Sequence, residues 1–191
     1  MKICFATHNE NKLREINEII SDYDIVGLNE IGCTEEIPET GTTLSENSKI
    51  KADFVTANYS ISCFADDTGL EVEALNGEPG VYSARYAGNE RDNLANINLL
   101  LKKLETHSNK SARFRTMITL NLEGETYQFE GIVNGAIVSE LKGEKGFGYD
   151  PIFIPEGYNR TFAEMSSEEK NAISHRGRAV AKLVQFLENK A

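Results

Sequence analysis

The sequence predicts an α/β fold: a mixed β-sheet with flanking helices. Three observations lead there. An apolar run over residues 2–7 is followed by a segment with helical spacing and then by a second short apolar run, the strand–helix–strand start of α/β proteins. Further helical segments alternate with apolar runs, as crossover connections require. A clear hairpin also lies in the second half of the chain, so parallel and antiparallel pairings must coexist in one sheet.

Taken in order, residues 2–7 read as a buried strand, and Asn11–Ile20 places Leu13, Ile16, Ile19 and Ile20 on one helical face. Tyr23–Leu28 reads as a strand, Thr42–Asn58 as a helix and Ile61–Ala65 as a strand. A turn-rich stretch through Gly69, Gly77, Pro79 and Gly80 leads to a helix carrying Leu94, Ile97, Leu101 and Leu104 on one face. Phe114, Thr116, Ile118, Leu120 and Leu122 alternate, as do Tyr127, Phe129, Gly131 and Val133 beyond Glu123-Gly124-Glu125. The last helix carries Val180, Leu183, Val184 and Leu187 as its apolar stripe. With no repeat, low-complexity segment or linker, the expectation is a single domain over 1–191.

Composition narrows the function. The net charge of −10 argues against a nucleic-acid partner, because binding to that backbone needs clustered Lys and Arg. A nucleotide substrate remains compatible, provided that its pocket is locally positive. No apolar stretch approaches the roughly 18–20 residues that span a bilayer. The start turns polar at Thr7, too soon for a signal-peptide core, so a cytoplasmic protein with no membrane partner is expected. Cys4, Cys33 and Cys63 are odd in number and have no CxxC pair, which argues for reduced thiols over disulfides or zinc.

Four clusters carry chemistry. Thr7-His8-Asn9-Glu10-Asn11-Lys12 joins the first strand to the first helix, where unpaired N–H groups and a lysine suit a phosphate; Asn9 or Asn11 serving only as a helix cap fits the same letters. In Asp66-Asp67-Thr68-Gly69, two carboxylates end an apolar strand and supply hard oxygen donors for Mg²⁺. Neighbouring strand side chains face opposite ways, so the two need not share a role; an Asp-rich turn is the plain alternative. Glu39 is a further carboxylate for a metal, as is Glu46, although Glu46 and Lys49 also fit a solvated helix pair.

Gly146-Phe147-Gly148-Tyr149-Asp150-Pro151 sets an aromatic between glycines, suited to stacking on a base, with Asp150 as an acceptor; a tight turn holding a core aromatic fits equally. Finally, Lys170 and Ser174 are four apart on one helical face beside His175 and Arg176, donors for keto oxygens or phosphates, or else a solvated basic helix start.

In this order the clusters resemble the inosine triphosphate pyrophosphatase family, also called Ham1-like or XTP/dITP diphosphatases. The resemblance spans nearly the whole chain. It runs through Thr7, Asn9 and Lys12; Glu39-Thr40-Gly41 with Glu46-Asn47; Ala65 to Leu70; Pro79-Gly80-Val81-Tyr82-Ser83-Ala84-Arg85-Tyr86; Gly146 to Pro151; and Ser174-His175-Arg176. Thr68 stands where bacterial members usually carry Ser, which keeps the hydroxyl.

The resemblance implies an elongated, two-lobed single domain with the active-site cleft between lobes, acting as a homodimer. It implies Mg²⁺-dependent cleavage of ITP, dITP and XTP to the monophosphate and pyrophosphate. Asp67 would be the proton acceptor and a metal ligand, with Glu39 as second metal contact and Asp66 in support. Thr7, His8, Asn9, Glu10, Asn11, Lys12 and Thr68 would hold triphosphate and sugar. Phe147 and Gly148 would lie against the purine, with Tyr149, Asp150, Lys170, His175 and Arg176 around its keto group. The alternatives are a pyrophosphatase for other modified or pyrimidine nucleotides and a non-catalytic nucleotide-binding module.

Overall fold

The computed structural model describes residues 2–190. Six strands form one sheet in the order β2-β1-β3-β4-β5-β6. β1 (Lys2–Phe5) pairs in parallel with β2 (Asp24–Gly27) and with β3 (Cys63–Val72). β5 (Glu125–Ile137) pairs antiparallel with β6 (Phe153–Pro155), so the sheet is mixed as the sequence predicts. β4 (Ser111–Leu122) is the neighbour of β5, and the two residues between them, Glu123 and Gly124, have φ of 54° and 84°. Positive φ at both positions gives the tight hairpin turn that matches strand twist.

The chain divides into two compact units. The first comprises Met1–Asp67, Thr116–Gly131 and Gly177–Ala191. Its strands alternate between two cores. Ile3, Phe5 and Phe64 join Ile16 of α1 (Glu10–Ile19), Ile20 just beyond its end, and Val180, Leu183 and Leu187 of α5 (His175–Lys190). Cys4, Ala6, Cys63 and Ala65 join Ala52 and Val55 of α2 (Leu44–Tyr59). All three cysteines are buried, reduced thiols. α1 starts at Asn9, whose side chain accepts from the Asn11 and Lys12 N–H groups, and α2 starts on a Thr43/Glu46 capping box.

The second unit comprises Thr68–Arg115 and Ile132–Arg176. Its core gathers Leu70, Val72, Phe114, Val133, Ile137, Phe153 and Phe162 against α3 (Asn93–Leu104). On α3 the buried residues are Asn96, Ile97, Leu100 and Leu104, whereas Leu94 is 55% exposed. The expected stripe is therefore rotated, because Asn96 turns inward to take the Ala87 N–H and to donate to the Ala84 carbonyl.

Two further expectations are corrected. β3 does not stop at Ala65 but runs through Asp66, Asp67, Thr68 and Gly69 to Val72, which removes the Asp-rich turn. Lys170 and Ser174 are not on the last helix together. Lys170 belongs to the short α4 (Ser167–Ile173), begun by a Ser166/Glu169 capping box, and Ser174 is extended at φ −69°, ψ 160°. That break separates α4 from α5.

Gly69 has a packing reason within β3. A Cβ there would lie 2.5 Å from the Gly80 carbonyl oxygen, a backbone atom that cannot swing aside. Gly69→Ala is therefore expected to cost about 2 kcal/mol, read as a lower midpoint in urea unfolding. An unchanged midpoint would show that the Gly80 turn yields freely.

Candidate active site

In the first unit, the alternation of β3 sends Asp66 and Asp67 to opposite faces, as the sequence predicts. Asp66, 1% exposed, accepts from the Lys12 ammonium of α1 at 2.9 Å. Asp67, 6% exposed, accepts from Asn47 Nδ2 of α2 at 3.1 Å. Asn47 is itself oriented, since its Oδ1 takes the Gly41 N–H at 2.8 Å. The buried Lys51 ammonium donates to Glu39 Oε1 at 2.5 Å and to the Asp66 carbonyl at 2.6 Å.

These contacts set the charge states. Burial pushes the Asp67 carboxyl up to about 6, and the nearby Glu39 charge adds to the rise, against the pull of Lys51, Lys12 and Asn47. Burial works against the Glu39 charge too, but Lys51 outweighs it and holds that carboxyl below its ordinary value. Lys51 is likewise held charged, above the usual lysine value, by Asp67, Glu39 and Asp66 despite its burial.

Neither Lys51 nor the role of Asn47 was found from sequence. A signal existed: the buried positions of α2 are Leu44, Asn47, Ser48, Lys51, Ala52 and Val55, an unbroken helical stripe. Half of it is polar, so hydrophobic periodicity misses it, and polar residues on a core-facing stripe are what mark a site.

The remaining first-unit candidates divide. Asn9 is the α1 cap, with Thr7 Oγ1 accepting the Asn9 N–H, so the N–H groups of Asn11 and Lys12 are already taken within the loop. Glu10 is exposed, Asn11 is half-buried, and the exposed His8 ring meets the Glu35 carbonyl at 2.9 Å. Glu46 serves the start of α2, its Oε2 accepting from the Thr42 N–H and hydroxyl and from the Thr43 N–H. Lys49 pairs with Asp53 rather than with Glu46.

In the second unit, Lys170, His175 and Arg176 are 5%, 3% and 1% exposed, so the basic cluster is buried, not solvated. The Lys170 ammonium pairs with Asp150 Oδ2 at 2.7 Å and lies 5.0 Å from the Phe147 ring centroid. The Arg176 guanidinium lies 5.6 Å from the same centroid and donates to Thr68 Oγ1 at 3.2 Å. His175 stacks on Phe114, with centroids 4.6 Å apart.

Two residues expected to face a base turn inward. Asp150 accepts the Phe147 N–H as well as Lys170, and Tyr149 donates its hydroxyl to the Ser83 carbonyl at 2.7 Å. Burial raises the Tyr149 phenol far above its ordinary value. Gly146 and Gly148, at φ 71° and 62°, shape the loop; a Cβ on Gly146 would strike Asp150 Oδ2.

An α/β fold in which the Lys12, Lys51 and Lys170 ammonium groups pair with carboxylates away from solvent defines a protein equipped for phosphate chemistry, and the cation-flanked phenylalanine suits a planar, electronegative ring. The Ham1 family model matches residues 3–186. A dITP/XTP pyrophosphatase of Flavobacterium johnsoniae is 54% identical over 188 residues, covering 98% of both chains. The Bacillus subtilis protein of the same name is 48% identical, over 96% of this chain and 95% of that one. The structure of the Staphylococcus aureus Ham1 protein matches with a TM-score of 0.91 at 41% identity, covering 100% of both chains. The chain belongs to the Ham1 family.

Proposed function

We propose that this protein hydrolyses the non-canonical purine nucleoside triphosphates dITP, ITP and XTP to the monophosphate and pyrophosphate. The observation that carries the reading is Asp67, a buried carboxyl raised to about 6 and flanked by ammonium groups, which is the profile of a general base working near neutrality. The names of the relatives, matched over nearly the full chain, support the same reaction.

The donor chemistry fits Mg²⁺. Among the described residues no group of three His, Cys, Asp or Glu side chains could hold a metal ion. Mg²⁺ does not need one, because it uses one or two carboxylates and completes its shell with water and substrate phosphate. Asp67 and Glu39 are near enough for the charge on one to raise the other, a repulsion that a divalent cation would relieve. When bound, the ion would neutralise charge spreading over the reacting phosphate oxygens.

The chain's own groups supply the rest. Asp67 accepts a proton from the water that attacks the α-phosphorus as the bond to the pyrophosphate oxygen breaks. Lys12 offsets phosphate charge, and Lys51 keeps Glu39 ionised. Thr7 to Lys12 and Thr68 hold triphosphate and sugar. Phe147 and Gly148 lie against the base, while Lys170, His175 and Arg176 present donors to its keto oxygen. Those donors would meet the amino group of adenine unsatisfied, a penalty that rejects ATP. Tyr149 and Asp150 support this arrangement from behind. Residues 1–191 act as one domain, and the family resemblance carries the homodimer, checked by sedimentation.

The test is pyrophosphate release from ITP, XTP, dTTP and ATP, with Mg²⁺ and with EDTA. Fast, metal-dependent release from ITP and XTP with little from ATP or dTTP is expected; indiscriminate or metal-independent release overturns the reading. The rate should also fall as pH drops through about 6, because the base works only when ionised. Raising Mg²⁺ should move that limb to lower pH, since a nearby cation favours the carboxylate. A flat profile from pH 5 to 8 at low Mg²⁺ would exclude Asp67 as the base.

A further inference from the structure

The hydroxyl and the carbonyl of Ser83 are both engaged, and two of their bonds lead out of its own turn, to Leu70 of β3 and to Tyr149. Its hydroxyl accepts the Leu70 N–H at 2.9 Å and donates to the Gly80 carbonyl at 2.6 Å. Its carbonyl takes the Tyr149 hydroxyl at 2.7 Å. Ser83 is 8% exposed, and its bonds to Leu70 and Tyr149 are buried, so losing either leaves a polar group poorly compensated.

The bonds join two segments that the proposed reaction needs in register. Leu70 follows Thr68 by two residues on β3, and Thr68 Oγ1 accepts from Arg176. Tyr149 lies in the Gly146–Asp150 loop, whose two positive-φ glycines leave its backbone little intrinsic preference. Asp150 fixes the loop internally, through the Phe147 N–H, and ties it to Lys170. Only the Tyr149–Ser83 bond, among the hydrogen bonds described for Phe147 to Asp150, leads on to β3. The neighbouring turn is also held, by Asn96 against Ala84 and Ala87, so Ser83 sits on a fixed mount.

We propose that Ser83 is a positioning residue for base selection: it sets where Phe147 lies relative to Thr68 and Arg176, acting through Tyr149 without touching the substrate. This rests on the reaction proposed above. Losing the hydroxyl frees the Leu70 N–H and lets the turn, and with it the Phe147 loop, shift. The base contacts then loosen while the proton transfer at Asp67 proceeds as before.

The experiment is steady-state kinetics with ITP and ATP on wild type, Ser83→Ala, Tyr149→Phe and the double variant. Each single variant is expected to raise KM for ITP roughly tenfold, one buried hydrogen bond's worth, and to lower ITP-over-ATP selectivity about as much. The kcat for ITP should stay within about threefold, since the chemical step is untouched. The double variant should cost little more than the larger single, because both cut one linkage. Tyr149→Phe keeps the ring in the core and so remains informative if Ser83→Ala folds poorly. Wild-type KM and selectivity in Tyr149→Phe, or equal losses for ITP and ATP, would overturn the role. Full additivity in the double variant would do the same. Failure of wild type to turn over ITP would instead remove the underlying reaction, a distinct result visible before any variant is made.

Discussion

Asp67→Asn is expected to abolish turnover while leaving the protein at least as stable as before. The amide cannot take a proton from water, so the rate should fall by a factor of roughly 10² to 10⁴. The expected stability gain follows from the same burial that makes Asp67 useful. Its folded pKa, about 6, lies above the ordinary value of 3.8, so ionisation opposes folding, with the cost fully present above about pH 6 and absent well below 3.8. That difference corresponds to roughly 3 kcal/mol, an upper figure because a bound cation would offset it. Asparagine fills the same volume, and its oxygen can still accept from Asn47. Circular dichroism melts beside pyrophosphate assays at pH 8 check both halves. Near-normal turnover would reassign the base, and a large loss of stability would show that the site needs the negative charge.

Lys51→Met should be damaging on both counts. It removes the one described ammonium donating to both Glu39 and the Asp66 carbonyl, and with it the attraction that offsets the burial of Asp67. Breaking such a buried arrangement from one side costs about 3–5 kcal/mol, more than deleting it whole. Urea unfolding at pH 8 should register that loss, and it should shrink towards pH 5, where Asp67 takes up a proton and no longer needs the partner. Turnover should fall at least a hundredfold. A variant with wild-type stability at pH 8 would mean that these carboxylates are stabilised by something other than Lys51. Lys51→Arg is not expected to restore activity, since a planar fork cannot place one donor on both acceptors as the compact ammonium does.

The contrast between these residues shows what the sequence revealed. Asp66 and Asp67 announced themselves because two acids in an apolar run are costly, and the alternation rule by itself divides their faces correctly. The mixed character of the sheet, the hairpin at Glu123-Gly124 and the reduced cysteines were legible for similarly local reasons, whereas the strand order, set by non-local pairing, was not. Lys51 was not, because a lysine in a helix is ordinarily solvated and only tertiary packing turns it inward. The burial of Lys170, His175 and Arg176 was hidden for the same reason, although the resemblance had marked them as donors around the base. Tyr149 shows a different limit: motif position placed it beside the base, but gave no sign that its hydroxyl was bound for a carbonyl 66 residues away in sequence. Non-local hydrogen bonds have no period, so no pattern in the chain encodes them.

The strict face alternation of Asp66 and Asp67 also constrains how the gene can drift. Substitutions in the run from Cys63 to Ala65 need only respect volume, since each of these residues packs in one of two apolar cores. A one-residue insertion or deletion there is another matter. It would move every following side chain to the opposite face, presenting Asp66 to Asn47 and Asp67 to Lys12 while forcing neighbouring apolar groups into the wrong core. Lineages descending from this sequence should therefore vary freely in letters along the strand yet keep its residue count fixed, with length changes accumulating in the surface turns instead.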